Sequence, residues 1–209
     1  MLGRAALLCL LLVGLSTIVW RHPPPLPTPP EHERWQKVDV RGQILPAWGG
    51  PWQCVLDRHR GLMWEVKSVA EDLHDQQCSF SWFDGRTGTQ QGGDCFGAEQ
   101  ASDTQELIDY ANATRRCASR DWRLPTAAEL STLLIDHPQP GAPIIALDYF
   151  PFTQSGPYWT ADAQQPLQGF FARLGDGAVA INFKHGDIQR LPYANAAFVR
   201  LVTDTPNVR

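Results

Sequence analysis

Past residue 50 the chain carries four cysteines, Cys54, Cys78, Cys95 and Cys117, and no two of them have Cys-x-x-C spacing. An even set without that spacing argues against a zinc ribbon or a thioredoxin-type centre and for two disulfides in an oxidising compartment. Three connectivities are open. The expected one joins Cys54 to Cys117 and Cys78 to Cys95, the second stapling a glycine-rich loop that has little else to hold it. A reactive thiol is the rival reading. The fifth cysteine, Cys9, follows the bulky Leu8 inside an apolar run and makes a poor lipidation site.

That apolar run supports the compartment. Arg4 precedes residues 5–19, which carry no charge. A basic start followed by an apolar stretch is the outline of an export signal. As a helix the run reaches only ~22 Å, short of the ~30 Å hydrocarbon core of a bilayer. Two fates are expected: cleavage after Ser16, with the small Gly14 upstream, or retention as a short anchor extended by Trp20. Arg4 and Arg21 flank both ends, so charge does not set the orientation. Residues 22–33 then hold six prolines, which forbid a regular helix and give a stiff, extended spacer. The organisation read from these features is a signal peptide or short membrane anchor over 1–21, a proline-rich spacer over 22–35, and one globular domain over 36–209. The protein is expected to be exported to the periplasm or cell surface, anchored by the N-terminal segment or released from it.

The net charge is −4, which excludes a global basic footprint, so no nucleic-acid partner is expected. Arg115, Arg116, Arg120 and Arg123 form a local basic cluster. It reads as a solvated helix end, with an anion-binding patch as the alternative. Seventeen glycines, seventeen prolines, eight Trp and nine Phe indicate a loop-rich domain built on aromatic anchors. A hairpin is predicted from residues 53–57 and 62–66 around a turn at 58–61. A long polar loop follows over 68–100. Ser102 with Gln105, and Thr126 with Glu129, have capping-box spacing and start two helices with apolar faces (Leu107, Ile108, Ala111; Leu130, Leu133, Leu134). Short strands are predicted at 158–161, 169–174, 178–183 and 197–202, with a turn at Gly175-Asp176-Gly177. The first and last strands must meet for such a chain to close.

That order looks like a C-type-lectin-like fold, and particular words sharpen the likeness. Cys54-Val55-Leu56-Asp57 with Gly61-Leu62-Met63-Trp64-Glu65-Val66-Lys67 resembles the opening of the Lcl C-terminal domain family. Asp121-Trp122-Arg123-Leu124-Pro125-Thr126 with Glu129-Leu130 resembles its central signature, and Tyr158-Trp159-Thr160 and Phe198-Val199-Arg200-Leu201-Val202 its closing strands. The resemblance implies an α+β, C-type-lectin-like domain: two helices packed on a small antiparallel sheet with long loops, disulfide-stapled. Family members commonly carry a cysteine where this chain has Ser102, and Cys78 then supplies the partner for Cys95. The collagen-like arm of the adhesin that names the family is absent, so its binding of sulfated glycans carries over weakly.

Catalytic patterns are missing. His22, His32, His59, His74, His137 and His185 have no partner at catalytic or metal-ligand spacing, and no Gly-x-Ser-x-Gly, HExxH or P-loop occurs. The late cysteine pair of formylglycine-generating enzymes is missing too, since the last cysteine is Cys117. An enzyme is therefore not expected. No cofactor is expected, although Asp84, Asp94 and Asp176 sit in glycine-rich loops where calcium or ordinary turn chemistry would use them. The expected function is a non-catalytic recognition module of the bacterial cell envelope, binding a glycan or an envelope protein through loops 84–100 and 137–156. The alternatives are a structural or assembly subunit with no soluble ligand and, behind it, an enzyme. Candidate ligand contacts are the rings of Trp82, Phe83, Tyr149, Phe150 and Phe152, the loop acids Asp84 and Asp94, and Arg120. Each ring has a core role as its alternative.

Overall fold

The computed structural model describes residues 33–95 and 102–204. The expected signal or anchor, the spacer up to residue 32, and residues 96–101 of the first long loop lie outside the described residues. Among the described residues no helix is long and apolar enough to cross a membrane.

The fold is α+β, with antiparallel sheets, few helices and two disulfides. The predicted hairpin forms from β2 (Cys54–Asp57) and β3 (Leu62–Glu65), in register Val55 to Trp64 and Leu56 to Met63. Its turn closes because Gly61 takes φ +65°, where a side chain would be strained, and donates to the Asp57 carbonyl. A strand not foreseen, β1 (Trp35–Val38), pairs with β2 on one side. On the other side β3 pairs with the last strand, and the sheet order is β1-β2-β3-β8, with β8 at Val202–Asp204. The chain ends of the domain therefore meet as the sequence requires.

Alternation along this sheet separates two cores. Val55, Leu62 and Trp64 face one with Leu130, Leu133 and Phe150; Cys54, Leu56 and Met63 face another with Trp82, Trp122 and Trp159. The second sheet is centred on β6 (Asp176–Asn182), which pairs with β4 (Pro157–Trp159), β5 (Gln165–Pro166) and β7 (Ile188–Leu191). The strand expected over 169–174 is instead a 3-10 turn with no buried residue. Its neighbours explain this: Gln165 and Pro166 already pair with Gly177 and Asp176, and Leu167 is the buried anchor, so the next residues loop out into solvent.

The helices are α1 (Thr104–Ala113) and α2 (Ala127–Ser131). Asp103, one residue later than predicted, caps α1 by accepting from Glu106 N. Ser102 does not cap: its carbonyl accepts from Gly93 N, tying the glycine-rich loop to the helix start, and its buried Oγ has no partner among the described residues. Gln105 bonds Asp109 instead. The capping box of α2 forms as predicted, Thr126 Oγ1 accepting from Glu129 N and Glu129 Oε2 from Thr126 N. Arg123 grips the same carboxylate with two bonds of 2.8 Å. Thr126→Ala should lower stability by about 1 kcal/mol, read as a lower urea midpoint at unchanged slope.

Candidate functional site

Both disulfides pair as expected, Cys54 with Cys117 and Cys78 with Cys95. The second closes the described part of the glycine-rich loop, which is tightly held. Asp94 and Ser79 exchange backbone bonds, and Thr89 N donates to the Trp82 carbonyl. An added Cβ at Gly93 would collide with the Ser102 and Ser79 carbonyls.

Several candidate contacts are placed elsewhere than a binding rim. Trp82 is buried, donating from Nε1 to the Thr160 carbonyl at 2.8 Å and packing on Tyr193. Tyr149 and Phe150 lie in the other core, Phe150 edge-on to Trp35. Buried, these three candidate rings have no free face to offer a sugar. Phe83 is half-buried, its backbone clamped to Thr104 Oγ1. Asp84 is exposed and accepts from Arg86 N and Thr87 N, which is turn chemistry. Asp94 and Arg120 are exposed. The arginine cluster disperses: Arg123 pairs with Glu129, Arg115 faces solvent, and Arg116 turns inward to the Val66 carbonyl. Among the described residues no group of three or more His, Cys, Asp or Glu is placed to hold a metal ion.

Phe152 differs from the other rings. It lies 45% exposed in the left-handed region, at φ +60°. A bulky residue there is held against its own preference, and such strain gathers at functional positions. Phe152 forms one wall of an open cleft of about 430 Å³. Pro51 and Trp52 before β2, and Val66 to Ala70 after β3, form the rest, with Lys67 and Arg116 lining it as well. Trp52 is fixed by its Nε1 bond to the Tyr149 carbonyl and by Lys37 Nζ, 3.8 Å over its ring. Val69 stands 63% exposed at the rim. A more polar depression of about 410 Å³ lies along Pro138 to Ile144 with Lys184 and His185.

Beneath the first cleft is a buried charge network. Glu65 Oε1 accepts from Lys67 Nζ at 3.1 Å and from His74 Nδ1 at 2.7 Å, while Oε2 accepts from Leu201 N. Arg200, fully buried, donates to the Glu65 carbonyl and to Thr153 Oγ1, with Phe150 5.0 Å away. Burial alone would raise the Glu65 carboxyl; Lys67, the His74 bond and Arg116 together hold it well below the usual carboxylate range. Burial pulls Lys67, His74 and Arg116 down, against the opposing pull of Glu65. Sequence reading offers Glu65 or Glu129 as partners for Arg123 and Arg200, but it misses Lys67, His74 and Arg116 around Glu65. The signal was Glu65 and Lys67 two apart at the end of an apolar strand, a spacing that puts both on one face.

The Lcl C-terminal domain family matches residues 53–203, from the residue before β2 into β8. No curated protein and no solved structure matches this chain.

Proposed function

The chain belongs to the Lcl C-terminal domain family, and on that premise we propose that it is a non-catalytic recognition module of the bacterial cell envelope, seating a segment of an envelope protein in the cleft between Trp52 and Phe152. The observation that carries this is Phe152 itself, a strained, half-exposed ring on the wall of an apolar cleft. Apolar walls of this size suit a side chain of a partner. The burial of Trp82, Tyr149 and Phe150 shifts weight from a glycan to a protein, because it removes three of the candidate rings on which a sugar face would stack.

The remaining features fit that role. Two disulfides suit export to the periplasm or cell surface, and the N-terminal segment, retained, would tether the domain of residues 36–209 to a membrane through its spacer. We assign the architecture to the C-type-lectin-like class on the meeting of β3 with β8 and on two helices between the hairpin and the closing strands. Phe152→Ala and Val69→Glu are each expected to cut capture of the envelope partner by about tenfold or more, with the urea midpoint within the range of surface changes. Phe170, 94% exposed on the 3-10 turn, is the control. Capture that survives both cleft variants and falls with Phe170→Ala would move the binding surface away from the cleft and reopen the glycan reading.

A further inference from the structure

We infer that the floor of this cleft is a carboxylate site, taking the acid group of a ligand whose apolar body fills the space between Trp52, Val69 and Phe152. The inference rests on the cleft as the binding seat and names the class of ligand it takes.

It begins from an imbalance of buried charge. Lys67, Arg116 and Arg200 are buried around one buried carboxylate, Glu65. Glu65 has both oxygens engaged by Lys67, His74 and Leu201 N. Arg200 is turned inward onto Glu65 and Thr153. Lys67 and Arg116 are different, because they line the cleft. The Arg116 guanidinium makes a single hydrogen bond among the described residues, from Nη2 to the Val66 carbonyl, and its buried Nε has no partner there. Among the described residues Lys67 Nζ hydrogen-bonds Glu65 Oε1 alone. The next acid, Asp72, acts on Arg116 through space and is half-exposed. The guanidinium of a buried arginine (Arg116, 7% exposed) with an unmatched donor, beside the ammonium of buried Lys67, is expensive without an anion. A ligand carboxylate between them supplies that anion through charge-assisted bonds.

The walls decide what the anion is attached to. Pro51, Trp52, Val69, Pro151 and Phe152 are apolar. A sugar or nucleotide head carrying several charges would set most of them against these walls. One acid on an aliphatic or aromatic body matches both parts of the cleft. Two sources share that chemistry: the C-terminal carboxylate of a partner chain ending in an apolar residue, and a free aromatic or aliphatic acid.

The test is calorimetric titration of the full-length chain, disulfides intact, with N-acetyl-phenylalanine as free acid and as primary amide, and with hydrocinnamate. The free acid should bind about tenfold or more tighter than the amide. That preference should vanish in Lys67→Met, and binding should be lost in Val69→Glu, an exposed change that keeps the near-UV spectrum. If Lys67→Met does not fold, the acid-to-amide ratio on the parent chain together with Val69→Glu decides. N-acetyl-phenylalanine ahead of hydrocinnamate assigns a chain terminus; the reverse assigns a free acid. Equal binding of acid and amide overturns the carboxylate site and leaves the cleft as a binding seat. No binding of any probe, while Phe152→Ala still abolishes partner capture, also overturns the carboxylate site alone. Capture indifferent to Phe152→Ala and Val69→Glu overturns the seat itself.

Discussion

Replacing Glu65 with Gln is expected to destabilise the fold by roughly 3–5 kcal/mol, the range for stripping one partner from a buried charge cluster. The change is nearly isosteric, so the loss is electrostatic. Lys67, Arg116 and Arg200 would remain buried without their one buried counter-charge. Adding Lys67→Met to Glu65→Gln should recover part of the loss, since it removes one of the uncompensated cations. Denaturant unfolding of the two single variants and the double variant gives the coupling directly. Full additivity would mean that Glu65 and Lys67 do not act on one another.

The same cluster sets the response to acid. The Glu65 carboxyl lies well below its ordinary 4.5 in the folded state, so its stabilisation is complete above that value and is lost as pH falls toward the folded value. His74 is lowered from 6.5 by burial. The unfolded chain therefore takes that proton first, and stability declines as pH drops below 6.5. With Glu65 ionised, the proton of neutral His74 belongs on Nδ1, facing Oε1. Urea midpoints measured from pH 8 downward should fall in two stages, and Glu65→Gln should flatten the more acidic one. A midpoint that stays constant from pH 8 until the Glu65 stage begins would contradict the lowering of His74.

Loss of the Cys54–Cys117 bridge is the second large effect, at about 4 kcal/mol for a closed loop of 63 residues. The Cys78–Cys95 bridge closes 17 residues and should contribute about 3 kcal/mol on the same basis. Strain makes the first bridge matter further. Arg115, Cys117 and Ala118 all sit at positive φ, 53°, 47° and 62°, where residues with side chains are disfavoured. The bridge to β2 and the Arg116 bond to Val66 hold that turn in place. Cys54→Ser with Cys117→Ser should therefore lower the urea midpoint more than Cys78→Ser with Cys95→Ser, and it should loosen the base of the cleft through Arg116. The reverse order would contradict the role given to this turn.

Much of the frame was legible because local chemistry dictated it. Asp57 and Gly61 specify one hairpin turn, and Thr126 with Glu129 specifies one helix start. Cysteine spacing with a glycine-rich loop suggested the pairing. The cap of α1 slipped by one residue because the sequence shows two adjacent caps, Ser102 and Asp103, and local pattern does not say which side chain accepts from Glu106 N. The strand at 169–174 failed because strand-like residues there have no partner edge free. The site was least legible. Trp52, Lys67, Val69, Arg116 and Phe152 come from separate parts of the chain, and tertiary contacts such as the Cys54–Cys117 bridge and the bond from Trp52 to the Tyr149 carbonyl bring them to one cleft. The ring of Phe152 is plain in the sequence, but its left-handed backbone is set by tertiary packing that no local pattern reveals.

The most direct test of the cleft as a recognition seat is photo-crosslinking in intact cells, with a photoreactive aromatic residue replacing Phe152 in one full-length chain and Phe170 in another. Crosslinks from position 152 to one envelope protein, mapped by mass spectrometry to an apolar segment and absent from position 170, are the expected result. Crosslinks to that protein from position 170 and none from position 152 would contradict it.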